Sequence, residues 1–274
     1  VSDSYRRLRN TMRFILGSLS EPTESEKIEP KDMPELEQWV LHRLSELDER
    51  VRKGYTEYDF QGVFQSVFTF ATVELSSFYF DIRKDVLYCD GDTLERRSAR
   101  SVLNHIFVRL TTWLAPVLVF TMEEVWLERY PGDESSIHLT DMPSTPKTWL
   151  NAELAKKWAV IRQARRAVTA ALELQRTDKV IGSSLEASPI VYLEDQETFD
   201  ILDSIPFTDV CITSSVKLSL EKAPKTAFST EEVKGIKVDF QVASGEKCQR
   251  CWKILPEVTN SNPICGRCDE ALKG

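Results

Sequence analysis

Glycine, histidine and long apolar runs are scarce in this chain, and each shortage closes off a class of function. The 274 residues include 10 glycines, and none are grouped into the loops that cradle nucleotide phosphates. A single turn, Val180-Ile181-Gly182-Ser183-Ser184 after Lys179, keeps a trace of an anion-contacting loop. Three histidines are present: His42 and His105 on predicted helices, His138 far from both. Each is expected to be a packed or surface side chain, which leaves no catalytic constellation. The longest apolar run, Leu114 to Phe120, contains Pro116 and is far too short to cross a bilayer. No amino-terminal stretch has the pattern of a signal peptide. A cytoplasmic protein with no membrane partner is expected. The chain enters a helical pattern directly from Val1, which fits a piece of a longer polypeptide.

Cysteine is sparse as well, with six in all, yet four of them are arranged. Cys248-Gln-Arg-Cys251 and Cys265-Gly-Arg-Cys268 form two Cys-x-x-Cys turns. Folded together, they offer four sulfurs at tetrahedral angles, the donor set of one structural zinc ion. A full thiolate shell has no position for water, so the expected role is architectural. Disulfides are the competing reading, but Cys89 and Cys211 stand isolated and nothing marks the chain as secreted.

Net charge is −8, which argues against nonspecific binding to nucleic acid, where lysine and arginine supply most of the affinity. The average conceals two basic strips. Residues 1–19 set Arg6, Arg7, Arg9 and Arg13 against Asp3. Residues 156–179 set Lys156, Lys157, Arg162, Arg165, Arg166, Arg176 and Lys179 against Glu173 and Asp178. Such strips are either solvated helix faces or docking faces for a defined anionic partner.

Apolar spacing divides the chain. Tyr5, Leu8, Met12, Ile15, Leu16 and Leu19 predict a first helix, followed by a polar loop over Ser20–Met33. Pro34 opens a second helix, with Glu35 and Glu37 in the first turn where carboxylates suit the helix dipole. Asp59 caps a third, dense in Phe60, Val63, Phe64, Val67, Phe68, Ala71, Leu75 and Phe78, a stripe that reads as core. A fourth carries Val102 to Trp113, and a fifth runs from Pro116 to Trp126. Five such helices with short links predict an antiparallel bundle over residues 1–150. From Asn151 a long helix reaches about Thr177. Strands are then expected at Ile190–Leu193, Val210–Thr213 and Ile236–Val242, with a helix near Thr198–Leu202, making a small α/β unit within 151–243. The zinc module fills 244–274. The fold class is mainly α.

Within the zinc module, Arg250 and Arg267 sit inside the two turns, with Trp252 and Lys253 directly after the first. An outward indole flanked by guanidinium groups suits unpaired bases and phosphates. Equally, Trp252 could cover the hairpin's own core, and the arginines could simply be solvated.

Several segments resemble a known family. Ser4-Tyr5-Arg6-Arg7-Leu8-Arg9-Asn10-Thr11, Phe78-Tyr79-Phe80-Asp81-Ile82-Arg83-Lys84-Asp85, Leu114-Ala115-Pro116-Val117-Leu118 and Phe120-Thr121-Met122-Glu123-Glu124-Val125-Trp126 resemble the anticodon-binding domain of class I aminoacyl-tRNA synthetases for branched aliphatic amino acids. Asp178-Lys179-Val180-Ile181-Gly182-Ser183-Ser184-Leu185-Glu186-Ala187 and the terminal cysteine pairs narrow the resemblance to the bacterial isoleucyl type. It implies a carboxy-terminal region that grips the anticodon stem-loop of tRNA(Ile), with Arg6, Arg9 and Arg13 of the bundle and Arg250, Trp252, Lys253 and Arg267 of the zinc module as tRNA contacts. It also implies a parent ligase that joins isoleucine to tRNA using ATP. The family's His-Ile-Gly-His and Lys-Met-Ser-Lys-Ser motifs are absent from these residues. ATP and isoleucine would therefore belong to a catalytic domain of the full-length enzyme, a further partner, and this chain alone would be inactive and monomeric. Two other readings are a DNA repair glycosylase, which can end in a similar zinc finger but would need an amino-terminal proline, and a zinc-stabilised protein-interaction module.

Overall fold

The computed structural model describes residues 2–20 and 28–273, so the loop expected over Ser20–Met33 lies partly outside the described residues. The chain divides into two compact units, residues 1–88 with 92–152, and residues 89–91 with 153–274.

The first unit is helical. Helix α1 (Ser2–Ser18) buries Leu8, Met12 and Ile15 at the expected spacing. Tyr5 departs from that face: it is 36% exposed, and its hydroxyl lies 3.1 Å from Thr121 Oγ1. Helix α2 (Glu35–Thr56) follows Pro34 and buries Leu36, Val40, Leu44, Leu47 and Val51. Asp59 caps helix α3 (Phe60–Thr69) by accepting from the Gly62 amide at 2.9 Å. Phe60, expected in the core, is half exposed because it occupies the first position of that helix.

Helix α3 continues without a break through a π-helical stretch, Phe70–Tyr79, into helix α4 (Phe80–Cys89). Two hydroxyls reinforce the wider turn by donating five residues back, Ser76 to the Ala71 carbonyl and Ser77 to that of Thr72, both at 2.9 Å. A wider helix aligns residues about four apart. Val67, Ala71, Leu75 and Tyr79 follow that step, and all four are fully buried.

Thr93 caps helix α5 (Leu94–Leu114) through the Arg96 amide at 3.2 Å, and Val102, Leu103, Ile106, Phe107, Leu110 and Trp113 are wholly enclosed. Helix α6 (Val119–Arg129) starts later than Pro116 suggests, since Pro116 lies in the preceding turn. In this unit α2 packs on α3 and α5, and α1 packs on the π-helical stretch, α5 and α6.

Beneath α2 lies a buried charge cluster. Arg83 grips Glu37 with Nε and Nη2 at 2.7 and 2.6 Å, and the Tyr79 hydroxyl donates to the same carboxylate at 3.0 Å. Glu37 and Tyr79 are fully buried. Burial, reinforced by the Glu37 charge, holds the Tyr79 phenol well above its ordinary pKa.

The second unit begins with helix α7 (Ala152–Thr177), whose inner face carries Trp158, Ile161, Ala164, Val168 and Leu172. The helix stops as Lys179 takes a left-handed conformation and the Val180 amide reaches back to the Gln175 carbonyl at 2.9 Å. A four-stranded sheet follows in the order β2-β1-β4-β3, built from β1 (Ile190–Leu193), β2 (Lys217–Ser219), β3 (Phe228–Thr230) and β4 (Val233–Asp239). Strands β1 and β2 are parallel, linked by helices α8 (Gln196–Asp203) and α9 (Phe207–Cys211), while β4 runs antiparallel to β1 and β3. Val191, Leu193, Ile236 and Val238 turn inward, and the Val242 expected to extend β4 is exposed.

One expected strand is a helix. Val210 and Cys211 belong instead to α9, which Pro206 introduces, and Ile212 ends it in a left-handed conformation, with Thr213 in the bend that follows. Phe207, Val210 and Cys211 bury one helical face, so a β-rich composition yields to the packing of a single helical turn.

Candidate metal centre and nucleic-acid interface

The zinc module is organised by a hairpin and a helix. Strands β5 (Glu246–Lys247) and β6 (Ile254–Leu255) pair antiparallel around the first cysteine turn, and helix α10 (Gly266–Lys273) carries Cys268 in its first turn. Gly245 opens the hairpin at φ +117°, where a Cβ would lie 2.3 Å from the Leu255 carbonyl carbon. No side chain fits there.

The four sulfurs of Cys248, Cys251, Cys265 and Cys268 all lie within 4.8 Å of one another, and all four residues are buried. Cys251 and Cys265 sulfurs are 3.7 Å apart. A tetrahedron of zinc–sulfur bonds sets its edges at about 3.8 Å, so the donor set fits the ion. It does not fit disulfides: all six cysteines are free. Burial alone would raise the Cys248 thiol, but amides of Cys251, Cys265 and Arg250 donate to its sulfur and bring its pKa down to about 6. Burial and neighbouring thiols push Cys251 up and Cys268 to about 11. A bound cation would favour the thiolate form of all four. Around the sulfurs, the buried core consists of Val258, with Cys89, Leu255 and Ile264 against it.

Trp252 is an exposed aromatic side chain of this module. Its indole is 61% accessible, and its backbone is left-handed at φ +68°, a conformation that costs a non-glycine residue about 1–2 kcal/mol. It therefore does not serve as a lid on the hairpin core. Lys247 places its ammonium 5.3 Å from the centre of the indole ring. Lys247 was not among the expected contacts; its position opposite Ile254 in the hairpin is the signal that would have found it.

The flanking cations are engaged within their own unit. Arg250 donates to the Cys89 carbonyl, and Arg267 faces the largely buried Asp90 at 3.5 Å. Lys253 pairs with Asp209 at 2.6 Å. On α1, Arg6 pairs with Asp3 at 2.6 Å, Arg9 lies 3.8 Å from Glu124, and Arg13 is exposed. Arg9 and Arg13 line a groove of about 1010 Å³ together with Glu124, Glu128 and Arg129, so that face mixes both signs of charge.

The histidines are packed or surface groups. His42 Nδ1 accepts from the Asn151 amide at 2.9 Å, and His138 Nε2 lies 3.3 Å from the Val119 carbonyl. His105 stacks edgewise on Trp149, and burial with the Arg109 charge lowers its pKa to about 4. The Gly182 turn is closed to anions by its own side chain, since Glu186 accepts from the Gly182 amide at 3.0 Å.

Comparison with known proteins follows this geometry. Residues 245–271 match a zinc finger found in FPG and IleRS. Isoleucine–tRNA ligases from Ruegeria pomeroyi, Brucella abortus and Agrobacterium fabrum are 63%, 51% and 48% identical to the chain, over 99%, 93% and 93% of it. The chain spans 28% of the first of these relatives and 26% of the other two. Residues 37–191 match the model described as the anticodon-binding domain of tRNA ligase. That match covers more than half of the residues, and the chain belongs to the family of anticodon-binding domains of tRNA ligases.

Proposed function

We propose that this chain is the tRNA-reading region of a cytoplasmic isoleucine–tRNA ligase and that its zinc module touches the anticodon loop of tRNA(Ile). The observation that carries the reading is Trp252, a large exposed indole held in a strained backbone on a four-cysteine turn. Such a platform suits stacking with an unpaired base. Lys247 sets its ammonium 5.3 Å from the centre of that indole; Arg250, Lys253 and Arg267 would contact phosphate by exchanging or sharing their present partners Cys89, Asp209 and Asp90, and Arg6, Arg9 and Arg13 of α1 would contact the stem. One zinc ion held by Cys248, Cys251, Cys265 and Cys268 would keep the module folded. Binding energy collected here would orient the distant acceptor end of the tRNA for a reaction carried out elsewhere in the ligase. The ATP and isoleucine sites would belong to the rest of the full-length enzyme, and this region would act as a monomer.

An electrophoretic shift with zinc-loaded protein tests this reading. Hairpins bearing the anticodon stem-loop of an isoleucine tRNA should bind more tightly than those of a valine tRNA at low salt. Equal, weak retention of both would contradict it, and a preference for damaged duplex DNA would point to the glycosylase reading.

A further inference from the structure

The left-handed pose of Trp252 needs restraint on both sides, and the zinc turn supplies one of them. The Trp252 amide donates to the Cys248 carbonyl at 3.0 Å, and the Cys248 amide donates to the Lys253 carbonyl at 2.9 Å. Beyond Lys253 the pairing of β6 with β5 inside the module is joined by restraints from outside it. The Lys253 ammonium meets Asp209 Oδ1 at 2.6 Å, and the Ile254 amide donates to Ser214 Oγ at 2.7 Å.

Neither partner is incidental. Asp209 sits on α9, which the Arg165 guanidinium ties to α7 through the Val210 carbonyl at 2.7 Å. Ser214 is buried; its hydroxyl donates to the Leu185 carbonyl, and its amide donates to that of Ala187 at 3.1 Å. The Asp178–Ala187 motif, which offers no anion site, thus finds a role as the fixed point to which Ser214 is tied. The two residues immediately after Trp252 are both anchored to one short segment, 207–214.

We propose that Asp209 and Ser214 are positioning residues for Trp252, holding the chain after the zinc turn so that the indole is set in its exposed pose before RNA arrives. This rests on the reading of Trp252 as the stacking residue. It assigns Lys253 a task besides its charge, as the tether whose ammonium Asp209 holds.

The test uses the full zinc-loaded chain labelled with 5-fluorotryptophan. The chain has six tryptophans, and Trp252→Phe identifies the fluorine resonance of interest. Ser214→Val and Asp209→Ala should shift or broaden that resonance without RNA present, and should weaken binding of the isoleucine anticodon hairpin, Ser214→Val by about tenfold, the scale of a lost hydrogen bond to a buried hydroxyl, and Asp209→Ala by about two- to fivefold, since its carboxylate is partly exposed. Zinc content should match the parent. Ser214→Thr, which keeps the hydroxyl, should restore both readouts. The proposal is overturned if both variants keep the parental resonance and affinity while Trp252→Ala weakens binding. Release of zinc by both variants would overturn it too, because the two residues would then hold the fold and not the indole. If Trp252→Ala binds like the parent, the stacking reading fails, yet the fluorine signal still decides whether Asp209 and Ser214 set the pose.

Discussion

Cys265→Ser should strip the metal from the chain and unfold the residues beyond Ser244 while leaving the helices of the first unit intact. The magnitude follows from how little else holds the module together. Its core contains four cysteine side chains and Val258, with Cys89, Leu255 and Ile264 partly enclosed, far less apolar area than an independent fold needs. A structural zinc site contributes on the order of 10–16 kcal/mol of apparent binding energy at neutral pH. Its loss cannot be absorbed. Elemental analysis should find zinc in the parent and none in the variant, and limited proteolysis should cut the variant between residues 245 and 270. Most helical circular dichroism should survive, since α1 to α6 have their own core. Protein purified without chelators that contains no zinc would refute the assignment, and collapse of all helical signal would show that the first unit depends on the module.

Glu37→Ala should destabilise the helical unit by about 3–5 kcal/mol, because it removes the carboxylate from a buried guanidinium. Arg83 donates to Glu37 through two nitrogens, and Tyr79 adds a third bond. Replacing both partners with methionine should cost less than Glu37→Ala, since no buried charge is then left behind. Urea unfolding followed by circular dichroism measures both variants. A loss below about 1 kcal/mol for Glu37→Ala, the range of exposed ion pairs, would mean that the cluster is hydrated in solution.

This cluster also shows where sequence reasoning stops. Glu37 reads as an ordinary first-turn carboxylate of α2, and nothing in its neighbourhood announces a partner on another helix, 46 positions away. Long-range polar pairing leaves no periodic trace. Apolar periodicity does leave one, so Leu36, Val40, Leu44, Leu47 and Val51 of α2 and Val102, Leu103, Ile106, Phe107, Leu110 and Trp113 of α5 were legible as inward-facing, while the buried Trp39 and Leu41 of α2 were not anticipated. Val63, Val67, Ala71, Leu75 and Phe78 of the third helix were legible as core, whereas Phe64 and Phe68 are only partly buried and Phe60 is exposed; the π-helical step, which serine hydroxyls reinforce by donating to carbonyls five residues back, was not legible.

In the second unit, β1 and α8 were readable from β-branched composition and from helix spacing. The edge strands β2 and β3 were not. Each is three residues long and half solvent-facing, which leaves no alternation to detect. Helix α10 was hidden for a different reason: the cysteine spacing that defines the metal site draws attention away from the Asp269–Lys273 ion pair that supports a last helical turn. That the four terminal cysteines would cluster was legible, because the spacing within each pair is a local property of the chain. The surroundings of Arg250, Lys253 and Arg267 were not, since Cys89, Asp90 and Asp209 reach them from distant parts of the sequence.

The central claim is that an exposed indole on the zinc module stacks on a base of the anticodon loop. The direct measurement is a titration of a fluorescently labelled isoleucine anticodon hairpin with the zinc-loaded parent, Trp252→Ala and Trp252→Phe across a range of salt concentrations. Loss of a stacking aromatic costs about 1–3 kcal/mol, so Trp252→Ala should bind roughly 5- to 150-fold more weakly at every salt concentration. Its salt slope and zinc content should be unchanged, and Trp252→Phe should recover part of the loss. Arg250→Ala and Arg267→Ala should instead flatten the salt slope by about one unit if those guanidinium groups also meet phosphate. Parental affinity for Trp252→Ala at both low and high salt, with zinc still bound, would contradict the account.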